Sequence, residues 1–169
     1  MTANKKVSSA DVLILNSILQ KIIDLVIHVD TQINIMMVFS SAIFLFSTAK
    51  LYDANGRLPL YIITLVVFSG LSIIVSLMAI HPPRFMRKKG QKESMFYHRR
   101  VQGFPSADQY VRELSEMFKN RKKVVSEYGR EVYNLSKYYY RPKRELYKLA
   151  RSLLIIGFFL SVVFLLLGY

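Results

Sequence analysis

The chain has 169 residues, 52% of them hydrophobic, with no cysteine and a formal net charge of +13. Without cysteine there can be no disulfide, thiolate zinc site or cysteine nucleophile. The apolar residues come in long blocks rather than with a period of 2 or 3.6, which argues against one soluble globular domain.

Taken in chain order, Met1 to Val7 reads as a disordered basic tail. Ser8-Ser9-Ala10-Asp11 is an N-cap signal with a carboxylate in the first turn. From there to Asp30, Leu15, Ile18, Leu19, Ile22, Leu25, Val26 and Val29 mark an apolar helical face. Asn16, Gln20, Asp24 and His28 mark a polar stripe. No Gly or Pro separates this stretch from the first apolar block, so one helix is expected from Ala10 to Lys50. Its first part would pack on neighbours, either other subunits or residues 84–151, or alternatively lie in the membrane interface.

Three blocks are long enough to cross a bilayer: residues 33–51, 59–80 and 152–168. At about 1.5 Å per residue they reach roughly 27 to 33 Å, against a hydrocarbon core of ~30 Å. The first begins too far in, and lacks a small-residue cleavage site, to be a removed signal peptide. The second starts at Pro59 and is stopped by His81-Pro82-Pro83. The expected organisation is a tail and amphipathic helix (1–32), two spans (33–51 and 59–80), a basic helical region (84–151) and a third span (152–168). The fold class is therefore an all-α integral membrane protein.

Residues 84–151 hold 19 Lys or Arg against 7 Asp or Glu, +12 of the total +13. The Lys/Arg bias sets topology: the basic side faces the cytoplasm, together with the N-terminus. The Asn55-Gly56 turn and Tyr169 then lie on the far side. Arg84 to Gln102 has no clear period, and Ser106-Ala107-Asp108-Gln109 is a capping box. After it, Tyr110, Leu114, Phe118, Val125, Tyr128, Val132, Leu135 and Tyr139 define one face of a long helix that Pro142 should kink or end. The helical pattern resumes at Lys143 and runs into the third span.

Enzyme signatures are absent: there is no phosphate-cradling loop, no dinucleotide fingerprint and no nucleophile elbow. His28, His81 and His98 have no metal-like spacing, and no cofactor is indicated. Glu113, Glu116, Glu127 and Glu131 read as exposed ion pairs rather than an acid–base couple. The expectation is a protein that is not an enzyme.

Two constellations remain. Arg99, Arg100, Lys119, Arg121, Lys122, Lys123, Lys137, Tyr138, Arg141 and Arg144 form a basic-aromatic set. With Tyr133, Tyr139, Tyr140 and Tyr147 interleaved, it suits phosphates and stacked bases. Arg84 to Lys89 and Lys148 to Arg151, nearest the bilayer, are assigned to topology and membrane lipid. In the first span Asp30, Asn34, Ser41 and Thr48 make a polar stripe, and Ser69, Ser72 and Ser76 make another in the second. The first is read as a pore or subunit seam, which would need several chains.

His28-Val29-Asp30-Thr31-Gln32-Ile33-Asn34 resembles the approach to the first span of the Pycsar-type transmembrane effectors. Tyr133-Asn134-Leu135-Ser136-Lys137, followed by Lys143, Leu146 and Ala150 before a last span, resembles that family's Tyr-x-Leu-Gly-Lys helix and its continuation. Met95-Phe96-Tyr97 and the helix start at Ser106 fall in the same order, so the likeness covers Ala10 to the C-terminus. The resemblance implies a multi-pass effector in the bacterial inner membrane, part of antiphage nucleotide signalling. Residues 84–151 would be cytoplasmic and the C-terminus periplasmic. A nucleotide or oligonucleotide from a partner cyclase or nucleotidyltransferase would open or hold closed a homo-oligomeric channel, a tetramer by default. Its opening would depolarise the membrane and arrest growth in abortive infection. The large basic surface favours a polyanionic oligonucleotide over a singly charged cyclic mononucleotide. The competing reading is a non-channel anchor whose basic region recruits a protein or anionic lipid.

Overall fold

A computed structural model describes residues 8–53, 59–83, 86 and 93–168. The Asn55-Gly56 turn, the basic residues Arg84 and Arg87 to Lys89, the first seven residues and Tyr169 lie outside them. Six α-helices are found among the described residues: α1 (Ser9–Asp53), α2 (Leu60–Ile80), α3 (His98–Gln102), α4 (Ala107–Phe118), α5 (Arg121–Asn134) and α6 (Arg141–Leu166). A π-helical segment, Leu135–Tyr140, joins the last two. No strand occurs among the described residues, and three helices are long and apolar enough to cross a membrane. The protein is all-α.

α1 starts on a reciprocal cap. The Asp11 amide donates to Ser8 Oγ (3.2 Å) and the Ser8 amide donates to Asp11 Oδ2 (3.3 Å), satisfying donors a helix start leaves open. The helix then continues unbroken for 45 residues, merging the expected amphipathic helix with the first span.

The chain divides into two compact units. The first comprises Met1–Val26 and Arg87–Tyr140. Its core is small: Met95, Met117 and Val124, with Leu15, Phe96, Phe104, Leu114 and Tyr128 packed around them. The expected long helix after Ser106 is instead two helices. Asn120 caps the second, its Oδ1 accepting from the Lys122 amide (3.0 Å) and the Lys123 amide (3.4 Å). The buried face lies one residue from the expected one on both sides of that break. Met117 and Val124 are buried, while the anticipated Phe118 and Val125 are 41% and 46% exposed. Pro142 does not end the helix either. Lacking an N–H, it cannot donate to the carbonyl four residues back, and the chain widens into the π segment just before it.

The second unit comprises Ile27–Met86 and Arg141–Tyr169. Much of its interior is small or hydroxylated: Ser40 and Ser47 on α1, Ser69, Ser72 and Ser76 on α2, and Ala150, Gly157 and Ser161 on α6, beside the buried aliphatic side chains of Val29, Ile33, Ile62 and Leu146. Large apolar residues such as Val38, Phe39, Leu45, Ile74, Phe158 and Phe159 face outward. With its large apolar surface turned outward, such an arrangement suits lipid, where small residues let helix backbones approach. Ser72 Oγ donates to the Ala150 carbonyl (3.0 Å) and shares a 2.8 Å hydrogen bond with Ser40 Oγ. Ser161 Oγ donates to the Tyr61 carbonyl (2.9 Å), so α2 and α6 run antiparallel. The hydroxyls of Ser47 and Ser76 are buried with no partner; each can turn to a carbonyl of its own preceding helical turn.

Candidate functional site

The basic-aromatic set separates between the two units. In the first, Arg100 on α3 and Lys122 and Lys123 on α5 line an open cleft of about 510 Å³. Met95, Glu113, Glu116, Met117, Ser126 and Glu127 complete its walls. Arg121, Lys122 and Lys123 fill the first turn of α5, which carries no acidic residue. Cations there oppose the partial positive charge of a helix N-terminus, each at a cost of about 0.3–1 kcal/mol. An anion bound in the cleft would offset that cost.

Arg100 is held in position: its Nη1 donates to the Glu93 carbonyl (2.9 Å) and lies 4.0 Å from Glu127 Oε2. Glu127 also accepts from the Met95 amide (2.8 Å) and from Arg130 Nη1 (2.5 Å). Glu131, one turn along, is buried and accepts from Ser94 Oγ. Glu127 and Glu131 are therefore not the exposed ion pairs their Lys/Arg neighbours imply. They share the face of Val124 and Tyr128 and fasten the chain at Ser94-Met95 to α5. Glu113, Glu116 and Glu127 bring three carboxylates into a cleft with three cations. Such a lining suits a ligand with few charges and several hydrogen-bonding groups better than a polyanion.

Other members of the set lie elsewhere. Lys119 is exposed at the end of α4, and Arg99 lies on α3. Arg121 Nη2 donates to Asp11 Oδ1 (2.7 Å), a hydrogen bond that, with the Ser8 amide, holds the Asp11 carboxyl below its ordinary range. Lys137 and Tyr138 sit in the π segment: Lys137 Nζ donates to the Tyr133 hydroxyl and lies over the rings of Tyr133 (4.8 Å) and Tyr138 (5.7 Å). Tyr97 and Tyr139 share a hydroxyl hydrogen bond. These tyrosines contact one another and Lys137 rather than forming an open stacking platform. Arg141 and Arg144 belong to the second unit, on the exposed side of α6.

The polar stripe of α1 is also divided. Asp30 accepts two bonds from Lys143 Nζ on α6, at 2.6 and 2.8 Å, so it joins two helices of one chain. Asn34 and Thr48 are exposed and Ser41 is half-buried. Thr48 Oγ1 donates to the Phe44 carbonyl (2.7 Å). The hydroxyls that pack within the unit are Ser40 and Ser47, one residue before each member of the expected pair. Among the described residues no group of His, Cys, Asp and Glu is placed to hold a metal ion.

No curated protein and no solved structure matches the chain. The sequence model of the Pycsar effector protein domain matches residues 14–168, which takes in both units and all three spans. The chain therefore belongs to the Pycsar effector family, and is a membrane effector of a cyclic-nucleotide antiphage system that responds to a nucleotide made by a partner cyclase.

Proposed function

We propose that the chain is a non-catalytic, homo-oligomeric channel whose open and closed states are weighted by a cyclic nucleotide in the Arg100–Lys122–Lys123 cleft. Four chains is the working number. The N-terminus and the basic region face the cytoplasm of the inner membrane, where a cyclase product would accumulate. The observation that carries this reading is α1. It is one unbroken helix whose Ser9–Val26 part belongs to the first unit and whose Ile27–Asp53 part belongs to the second. A ligand that binds one conformation of the first unit better than another can thereby bias the spans, by no more than its difference in affinity.

Asn34, Ser41 and Thr48, seven residues apart, lie along one stripe of that helix. An exposed amide at Asn34 is costly in hydrocarbon, so either a second copy of α1 or water must meet it. Three helices of one chain cannot enclose a water-filled path; several copies can. A cyclic nucleotide fits the mixed lining of the cleft better than an oligonucleotide does.

The test is membrane potential in cells that express the chain with its cyclase, read with a voltage-sensitive dye against a catalytically dead cyclase. Depolarisation should follow cyclase activity, and Asn34→Leu should reduce it while the protein still inserts. A potential indifferent to the cyclase would favour the non-channel anchor, and unchanged depolarisation in Asn34→Leu would remove α1 from the path.

A further inference from the structure

Arg141, Arg144, Lys148 and Arg151 are all exposed on α6. At about 100° per residue they fall within roughly 80° of one another around the helix. The opposite side carries Pro142, Leu146 and Ala150, all buried. Glu145 shares the exposed face, its Oε1 3.6 Å from Lys148 Nζ, both side chains about half exposed. Exposed pairs of that length neutralise little. The Arg151 guanidinium lies 5.8 Å from the centroid of the Tyr147 ring, an amphipathic pairing suited to a membrane interface.

The position of this face along α6 matters as much as its charge. From Ser152 to Leu166 the helix carries no charged residue, so Arg151 stands at the edge of the apolar run. At about 1.5 Å per residue, Lys148 and Arg144 lie roughly 5 and 10 Å beyond that edge, and Arg141 roughly 15 Å. The polar layer of a leaflet is about 5–7 Å deep. Long side chains can carry the first three cations into it, and Arg141 stays within about two Debye lengths of its surface. A soluble ligand would not require the cations to follow the helix down to the first uncharged residue.

We propose that this face of α6 is a binding site for anionic phospholipid, with Arg144, Lys148 and Arg151 on headgroup phosphates and Arg141 adding attraction from further out. The site would hold the third span at a fixed depth. It stands on the second unit alone and does not depend on the channel reading.

The test is native mass spectrometry of the full chain released from detergent, offered phosphatidylglycerol and phosphatidylcholine together. Phosphatidylglycerol should be retained in preference. Arg144→Gln with Lys148→Gln should lower its retention about fivefold per cation removed. Lys122→Gln with Lys123→Gln, on α5, should leave it unchanged. Equal retention of the two lipids by the unaltered chain, a measurement that needs no variant, would overturn the proposal. So would loss of phosphatidylglycerol on adding inorganic phosphate or a cyclic mononucleotide, which would reassign the face to a soluble phosphate ligand.

Discussion

At Gly157 the third span comes close enough to the second that an added Cβ would lie 2.7 Å from Phe68 Cγ and collide with Phe68 Cβ. Phe68 Cβ is fixed to the α2 backbone, so the helices themselves would have to separate. Gly157→Ala should destabilise the chain by about 1–3 kcal/mol. Gly129, exposed within α5 with nothing inside 4 Å of its missing Cβ, is the natural control. Gly129→Ala should stabilise by about 0.5–1 kcal/mol. Thermal unfolding of both variants in detergent tests the pair, and an unchanged midpoint for Gly157→Ala would contradict the close approach of α2 and α6. Single residues also show where sequence reasoning reaches its limit. Ser40-Ser41 and Ser47-Thr48 are tandem hydroxyls, and helical spacing selects either phase equally well. Only the contacts of α2 and α6 decide that Ser40 and Ser47 turn inward. Likewise nothing near Asp30 in sequence announces Lys143, its partner 113 positions away.

Among the elements, the three spans were legible because length and uninterrupted hydrophobicity are local properties. The start of α1 was legible because Ser8 and Asp11 cap it within one turn. The break between α4 and α5 was not, because Asn120 sits inside a cationic run whose periodicity continues on both sides. The π segment was hidden too: Pro142 signals a disturbance, but not that the chain absorbs it by widening. The starts of α1 and α5 are tied through Asp11 and Arg121, and this pair has a definite pH dependence. The hydrogen bond from Arg121 lowers the Asp11 carboxyl below its ordinary value of 3.8. The stabilisation is therefore fully present above that value and lost as pH falls through the lowered one. Amide exchange over the first turns of α1 should be faster in Asp11→Asn than in the unaltered chain at neutral pH. The two should converge only in acid, below the ordinary carboxylate range. Equal protection at neutral pH would show that the pair contributes nothing.

For the whole molecule, the proposed function puts the nucleotide in the cleft of the first unit. Composition alone pointed to a large cationic surface and hence to a polyanion. Folding disperses that charge: some cations line a cleft shared with carboxylates, some contact tyrosines, and others follow α6. A site of mixed charge cannot be read from a count, since Arg100, Glu116 and Lys123 converge only through the packing of α3, α4 and α5. In the proposed function a cyclic nucleotide in this cleft controls the spans. The most direct measurement is ion flux from vesicles containing the purified full chain, titrated with cyclic nucleotides alongside binding. Flux should change saturably with ligand. Lys122→Glu with Lys123→Glu, which places acidic residues favourably in the first turn of α5, should abolish both binding and response while insertion is unaffected. A response that survives the double exchange, or a chain that binds no nucleotide at moderate salt, would contradict the account.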